Sequence, residues 1–115
     1  MGASKLEGYY GGAMVNSISL QNVQEAIGKV THPAISRSIV DLGMIKDVRL
    51  DGKEARLMLL LPFLNIPAPI KDYLTNSLRE AVAVLGVRLE IEIAQMNEEE
   101  LQAFLGMEKE NWKGL

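Results

Sequence analysis

The chain has 115 residues, 48% of them hydrophobic and 23% charged, with a formal net charge of -3 at neutral pH; that closes one core but not two ordinary domains. It contains no cysteine, which excludes disulfides, thiolate zinc sites, cysteine nucleophiles and a self-contained cysteine-ligated cluster. Basic residues between Arg37 and Lys53 are interleaved with acids, so a nucleic-acid partner is not expected, and the longest apolar run, "LMLLLPF", is too short to cross a bilayer.

The opening stretch, "MGASKLEGYYGGA", is glycine-rich and aperiodic. Residues 1–16 therefore read as a tail outside the fold, with Tyr9 and Tyr10 set among glycines, and residues 17–115 as one domain. No basic region followed by an apolar stretch and a small-residue cleavage site opens the chain, so a cytoplasmic location is the expectation. Leu20, Val23, Ile27 and Val30 then recur at helical spacing, with Ser17, Ser19 or Asn22 available as a cap. The helix has to end by Pro33, because a residue before proline disfavours helical dihedrals. The segment "AISRSIVDLG" reads as irregular or one turn, with Ile35, Ile39, Val40 and Leu42 tucked under a sheet.

A strand is expected from Met44 to Leu50, a hairpin turn at "DGK" and a returning strand from Glu54 to Leu61. In that second strand Ala55, Leu57, Leu59 and Leu61 share one face. Met58 and Leu60 make the other face partly apolar too, which predicts cover from the carboxy-terminal segment or from another subunit, as in a homodimer. Ile70, Leu74, Leu78, Ala81, Val82 and Leu85 draw the stripe of a helix that Pro69 opens and Gly86 stops. "VRLEIEIA" alternates as a strand wet on one side, with Val87, Leu89, Ile91 and Ile93 inward. Asn97 to Glu100 reads as a capping box for a last short helix through Leu101, Phe104 and Leu105. The order α-β-β-α-β-α predicts a two-layer α+β domain whose three-stranded mixed sheet is covered by helices on one face.

These residues resemble a known family. "HPAISRSIVDLGMIKDVRLDG", an apolar strand, a proline-rich junction, a helix and "VRLEIEI" are together similar to the family that includes SufT, PaaD and the amino-terminal domain of Mrp-type ATPases, catalogued as domain of unknown function fifty-nine. The resemblance covers roughly Leu20 to Ala94, and its best-matched piece, Ile39 to Gly52, includes Asp41, Leu42 and Gly43. It implies an α+β scaffold with a supporting role in building or delivering iron-sulfur clusters, through contacts with assembly proteins or client apoproteins. It implies no enzyme and no resident cofactor. Two family features fall on altered positions. Where members commonly carry Asp-Pro-Glu this chain has His32, Pro33 and Ala34, and where they commonly carry Thr-Thr-Pro-x-Cys-Pro it has Leu64, Asn65, Ile66, Pro67, Ala68 and Pro69. A methyl group at Ala68 neither ionises nor ligates a metal, so a function that needs the thiol does not carry over.

Three readings follow for the sites. A non-catalytic adaptor in iron-sulfur assembly rests on the resemblance, and a structural interaction module outside that metabolism is its alternative. A third reading takes the helix terminus, with Asn65, Pro67, Ala68, Pro69 and Lys71, as a contact for an anion or for a partner's carbonyl. His32 is the lone histidine and lacks the company of a metal site; paired with Asp41 it would still lack a nucleophile and an oxyanion site. "EEE" at Glu98 to Glu100 projects in different directions and suits capping better than a cation. Trp112 is expected to pack back onto its own chain, and Met44, Met58 and Met96 to fill core or edge gaps.

Overall fold

Ser19 and Asn22 start the first element by capping each other. The Ser19 hydroxyl accepts the Asn22 N–H and the Asn22 side-chain oxygen accepts the Ser19 N–H, each at 3.1 Å, which satisfies two amides that a helix start leaves without partners. The computed structural model describes residues 18–113, so the tail expected over residues 1–16 lies outside the described residues. Helix α1 spans Leu20–Ile27 and buries Val23 and Ile27. It stops at Gly28, well before Pro33 requires it to. The chain then folds back on itself: the Ile39 N–H donates to the Val30 carbonyl at 3.0 Å and the His32 N–H to the Arg37 carbonyl at 3.1 Å. Ile35, Ile39 and Leu42 are buried as expected, but Val40 is 43% exposed. It sits in the turn that closes at Gly43, where φ is +75°, and points away from the layer its neighbours fill.

Strands β1 (Ile45–Asp51) and β2 (Glu54–Leu61) pair antiparallel around Gly52 and Lys53. Gly52 has φ +63° while Asp51 remains in the strand opposite Glu54. The turn thus uses glycine at its first central position and does not call on Asp-Gly jointly. Between the pairs Lys46–Met58 and Arg49–Arg56 the register shifts, with Asp47 at φ +55°. Asp47 and Val48 there oppose Leu57 alone, which is the two-against-one count of a β-bulge. Helix α2 (Ala68–Ala83) leads from β2 to β3 (Arg88–Gln95), which lies parallel to β2. The sheet order is β1-β2-β3, so the central strand is the one with the continuous leucine run.

Helix α2 buries Leu74, Leu78 and Val82, and α1 packs against α2 and β1. Each such buried aliphatic side chain contributes about 1.5–3 kcal/mol. The face of the sheet away from these two helices is largely charged. Arg56 meets Glu90 at 3.2 Å and Arg88 meets Glu54 at 3.0 Å across β2 and β3. The cover predicted for the second face of β2 is therefore divided: Met58 is half-buried among charges, while Leu60 is buried in one continuous cluster with Met96 and Phe104. Phe104 comes from α3 (Glu98–Asn111), a longer helix than expected, opened by the anticipated capping box of Asn97 and Glu100. Beyond α3 the chain returns to the segment after α1. The Ser36 N–H donates to the Asn111 carbonyl at 2.8 Å, and the Lys113 N–H to the Ala34 carbonyl at 2.9 Å.

Candidate functional site

Parallel pairing of β2 with β3 brings their carboxyl ends to one side of the molecule, and antiparallel pairing brings the start of β1 there as well. Helix amino termini and loops gather at that end of an open α/β sheet. A cleft of about 160 Å³ lies there, walled by Met44, Pro62, Phe63, Ile66, Pro67 and Ile70 on one side and by Phe104, Leu105, Glu108 and Trp112 on the other, with His32 and Ala34 between. The structure thus joins the two altered motifs: His32 and Ala34 meet the junction after β2 in one concavity. Pro33 is half-buried beside them.

His32 is only 7% exposed. Its Nδ1 accepts the Ala34 N–H at 2.9 Å, so in the neutral ring the proton sits on Nε2, which has no hydrogen-bond partner among the described residues. Burial, and secondarily the nearby Lys113 charge, push the His32 pKa below the usual histidine value. The geometry agrees, since a proton on Nδ1 would face the Ala34 N–H donor. The polar groups lining the cleft are thus His32, whose Nε2–H has no partner among the described residues, and the half-buried carboxylate of Glu108, in otherwise apolar walls.

The other sequence candidates are placed apart. Asp41 lies 3.6 Å from Arg37 in an exposed pair, and its N–H donates to the Ser38 hydroxyl. It does not line the cleft, so His32 and Asp41 form no pair there. Leu42 is buried core and Gly43 supplies the left-handed turn. At the helix terminus Asn65, Ala68 and Pro69 are exposed, Lys71 is half-buried, and Pro67 caps without a side-chain hydrogen bond. Pro67 and Pro69 carry no N–H, and the amides of Ile70 and Lys71 both donate to the Pro67 carbonyl. Ala68 alone is left with a first-turn N–H that has no backbone partner among the described residues, a thin basis for holding an anion.

Sequence reasoning missed the contribution of α3. Its apolar spacing and capping box were legible, but nothing in the local pattern says that Phe104, Leu105, Glu108 and Trp112 close a cleft against segments as far upstream as His32. Trp112 does pair with its own chain, bridging to Ile35, yet its side chain remains 52% exposed at the cleft rim. A larger depression of about 540 Å³ lies on the outer sheet face. Its Arg56 and Glu90 neutralise each other and it lies open to water, so it is the less specific of the two surfaces.

An iron-sulfur cluster needs thiolate or imidazole ligands converging on one point. Among the described residues no three His, Cys, Asp or Glu side chains converge in that way, and the whole chain has no cysteine. The donor set does not fit a resident cluster.

The model of the family described as "Iron-sulfur cluster assembly protein" matches residues 20–93, well over half of the chain. The chain belongs to that family. Among solved structures it is similar to the crystal structure of a domain of unknown function, DUF59, from Bacillus anthracis, with a TM-score of 0.54 and 19% identity over 75% of this chain and 88% of that one. That likeness bears out the fold. No curated protein matches the chain. Both altered motifs lie inside the matched range, while α3 lies beyond it.

Proposed function

We propose that this protein is a non-catalytic accessory of iron-sulfur cluster assembly or delivery, working through contacts with assembly proteins or with the apoproteins that receive clusters. Family membership gives the metabolic setting. The observation that carries the rest is the composition of the cleft. The position that is commonly a cysteine in the family it resembles is Ala68, the acids of the first motif are replaced by His32 and Ala34, and the walls where these segments meet are mostly apolar. Such a surface suits the recognition of another chain better than the ligation of iron. No residue set there provides a nucleophile beside a base, which supports an adaptor over an enzyme.

The test has two arms. Anaerobic reconstitution of the purified protein with iron and sulfide should leave no stoichiometric cluster bound, and deletion of the gene should lower the activity of several unrelated iron-sulfur enzymes. A stable cluster on the isolated chain, or unchanged enzyme activities in the deletion strain, would refute the proposal.

A further inference from the structure

The geometry points to the cleft between His32 and α3 as the receptor for a tyrosine side chain presented by a partner protein. This rests on the adaptor reading above and names what the adaptor recognises.

Three observations carry it. The first is the Nε2–H of His32, which has no partner among the described residues: a buried donor left without an acceptor is costly, and a site that leaves one open favours an occupant that supplies it. The second is size and wall chemistry. A cavity of about 150 Å³ lined by aliphatic and aromatic groups accepts a benzene ring, and this one measures about 160 Å³. A phenol is the ring chemistry with a use for both polar groups of the lining, because its oxygen can accept from His32 Nε2–H and its hydroxyl hydrogen can donate to the Glu108 carboxylate. A carboxylate ligand would be repelled by Glu108, and a plain phenyl ring would leave His32 unsatisfied. The third is the rim. Phe63 and Trp112 line the cleft and are 46% and 52% exposed, and Leu64, next to Phe63 in the chain, is 55% exposed, so the three offer apolar surface in addition to the cleft itself. Aromatic anchors seated in a pocket and ringed by apolar contacts are the usual centre of a protein interface. That additional surface is what favours a side chain on a partner over a free phenol.

The experiment titrates the full-length protein with acetyl-Ala-Tyr-Ala-amide and with acetyl-Ala-Phe-Ala-amide, following the Ala34 amide and the Trp112 indole by NMR. Saturable binding of the tyrosine peptide is expected, tighter than the phenylalanine peptide by about fivefold to tenfold, the worth of one satisfied hydrogen bond. His32→Phe should abolish that preference, and Glu108→Leu, on the half-exposed side of α3, should reduce it even if the histidine variant does not fold. Leu64→Ser should weaken the peptide and leave p-cresol unaffected. Equal binding of the two peptides, or no saturation by either, overturns the proposal. Tighter binding of p-cresol than of the peptide, with Leu64→Ser neutral, assigns the cleft to a free phenol and also overturns it. Replacing both Tyr9 and Tyr10 by serine should change nothing; a gain in peptide affinity would make the chain's own tail the occupant and refute a partner in trans. None of these readouts involves iron, so the cleft assignment and the assembly role fail separately.

Discussion

At the hairpin end of the sheet, Asp51, Glu54 and Arg88 lie close together because Gly52 turns β1 into β2 and Gly86 returns α2 to β3. Each of those contacts is set by a glycine within a few residues. At the opposite end, His32, Met44, Ile66 and Phe104 share one cleft although four separate segments supply them. The first end is built by local backbone geometry and finished with exposed charge pairs; the second depends on a helix from outside the family match docking over a loop. Damage at the second end should therefore propagate across elements, and damage at the first should stay local.

The largest effect is expected at Phe104, which is 3% exposed and belongs to the same core cluster as Leu60 and Met96. Phe104→Ala should destabilise the protein by about 3–5 kcal/mol, measured by urea unfolding, and should speed amide exchange at Ser36 and Lys113, whose N–H groups donate to the Asn111 and Ala34 carbonyls. A loss below 1 kcal/mol, or unchanged exchange at those two amides, would mean that α3 does not hold the cleft end together.

His32 comes next. His32→Leu keeps the volume apolar but removes the acceptor for the buried Ala34 N–H, at a cost of about 1–3 kcal/mol. The substitution should also change the response to acid. Burial first, and Lys113 second, keep the folded-state pKa below the ordinary histidine value of 6.5. Between the folded value and 6.5 the unfolded chain thus binds a proton that the folded chain does not. The stability contributed by the neutral ring is complete above pH 6.5 and is lost as the pH falls through the folded value. Melting temperature should accordingly drop on acidification below 6.5, and the drop should be shallower in His32→Leu. Parallel curves for the two proteins would remove His32 from the account.

The contrast between the ends also explains what could be read from the sequence. The stripe of α2, the Asn97 capping box and the left-handed glycines are local patterns, and the structure places them as expected; the alternation of β3 holds through Ile91, but Ile93, expected inward, is 41% exposed on this edge strand. The cleft was half legible. Both of its motif segments were singled out by comparison with relatives, but their meeting depends on β-strand pairing, and their closure depends on α3. Nothing within fourteen residues of helix specifies its docking site. At the Ala68 junction the sequence pattern does not show that the prolines which frame the helix start also remove donors from it, leaving Ile70 and Lys71 to share the Pro67 carbonyl. Val40 was misplaced for a similar reason: in a turn, neither a two-residue nor a 3.6-residue period assigns a face.

At the hairpin end, Gly86→Ala isolates the backbone contribution. Its φ of +75° is one an alanine rarely adopts, and an added Cβ would meet nothing within 4 Å, so the cost is conformational and should be about 1–2 kcal/mol. The loss should appear in the melting temperature without altering exchange at Ser36 or Lys113. If those distant amides did respond, the two ends would be coupled and the local character assigned to this one would be wrong.

The smallest effect should belong to the Arg88–Glu54 pair. Its groups meet at 3.0 Å, but both side chains are mostly exposed, so water and salt screen the attraction and two long side chains lose freedom in making it. A double-mutant cycle with Arg88→Ala and Glu54→Ala should return a coupling of about 0.2–1 kcal/mol that shrinks at high salt. Arg56 and Glu90, two residues along the same ladder, give an internal comparison at 3.2 Å. Arg56 stands opposite Arg49 on its other side, so removing Arg56 relieves a like-charge contact as well as breaking the pair. Glu54 likewise stands opposite Asp51, so within each pair the residue with a like-charged neighbour, Arg56 or Glu54, should lose less on single substitution than its partner, Glu90 or Arg88. Equal losses within each pair would show that Arg49 and Asp51 do not bear on their neighbours across β1 and β2, and that the outer face is a set of independent charges.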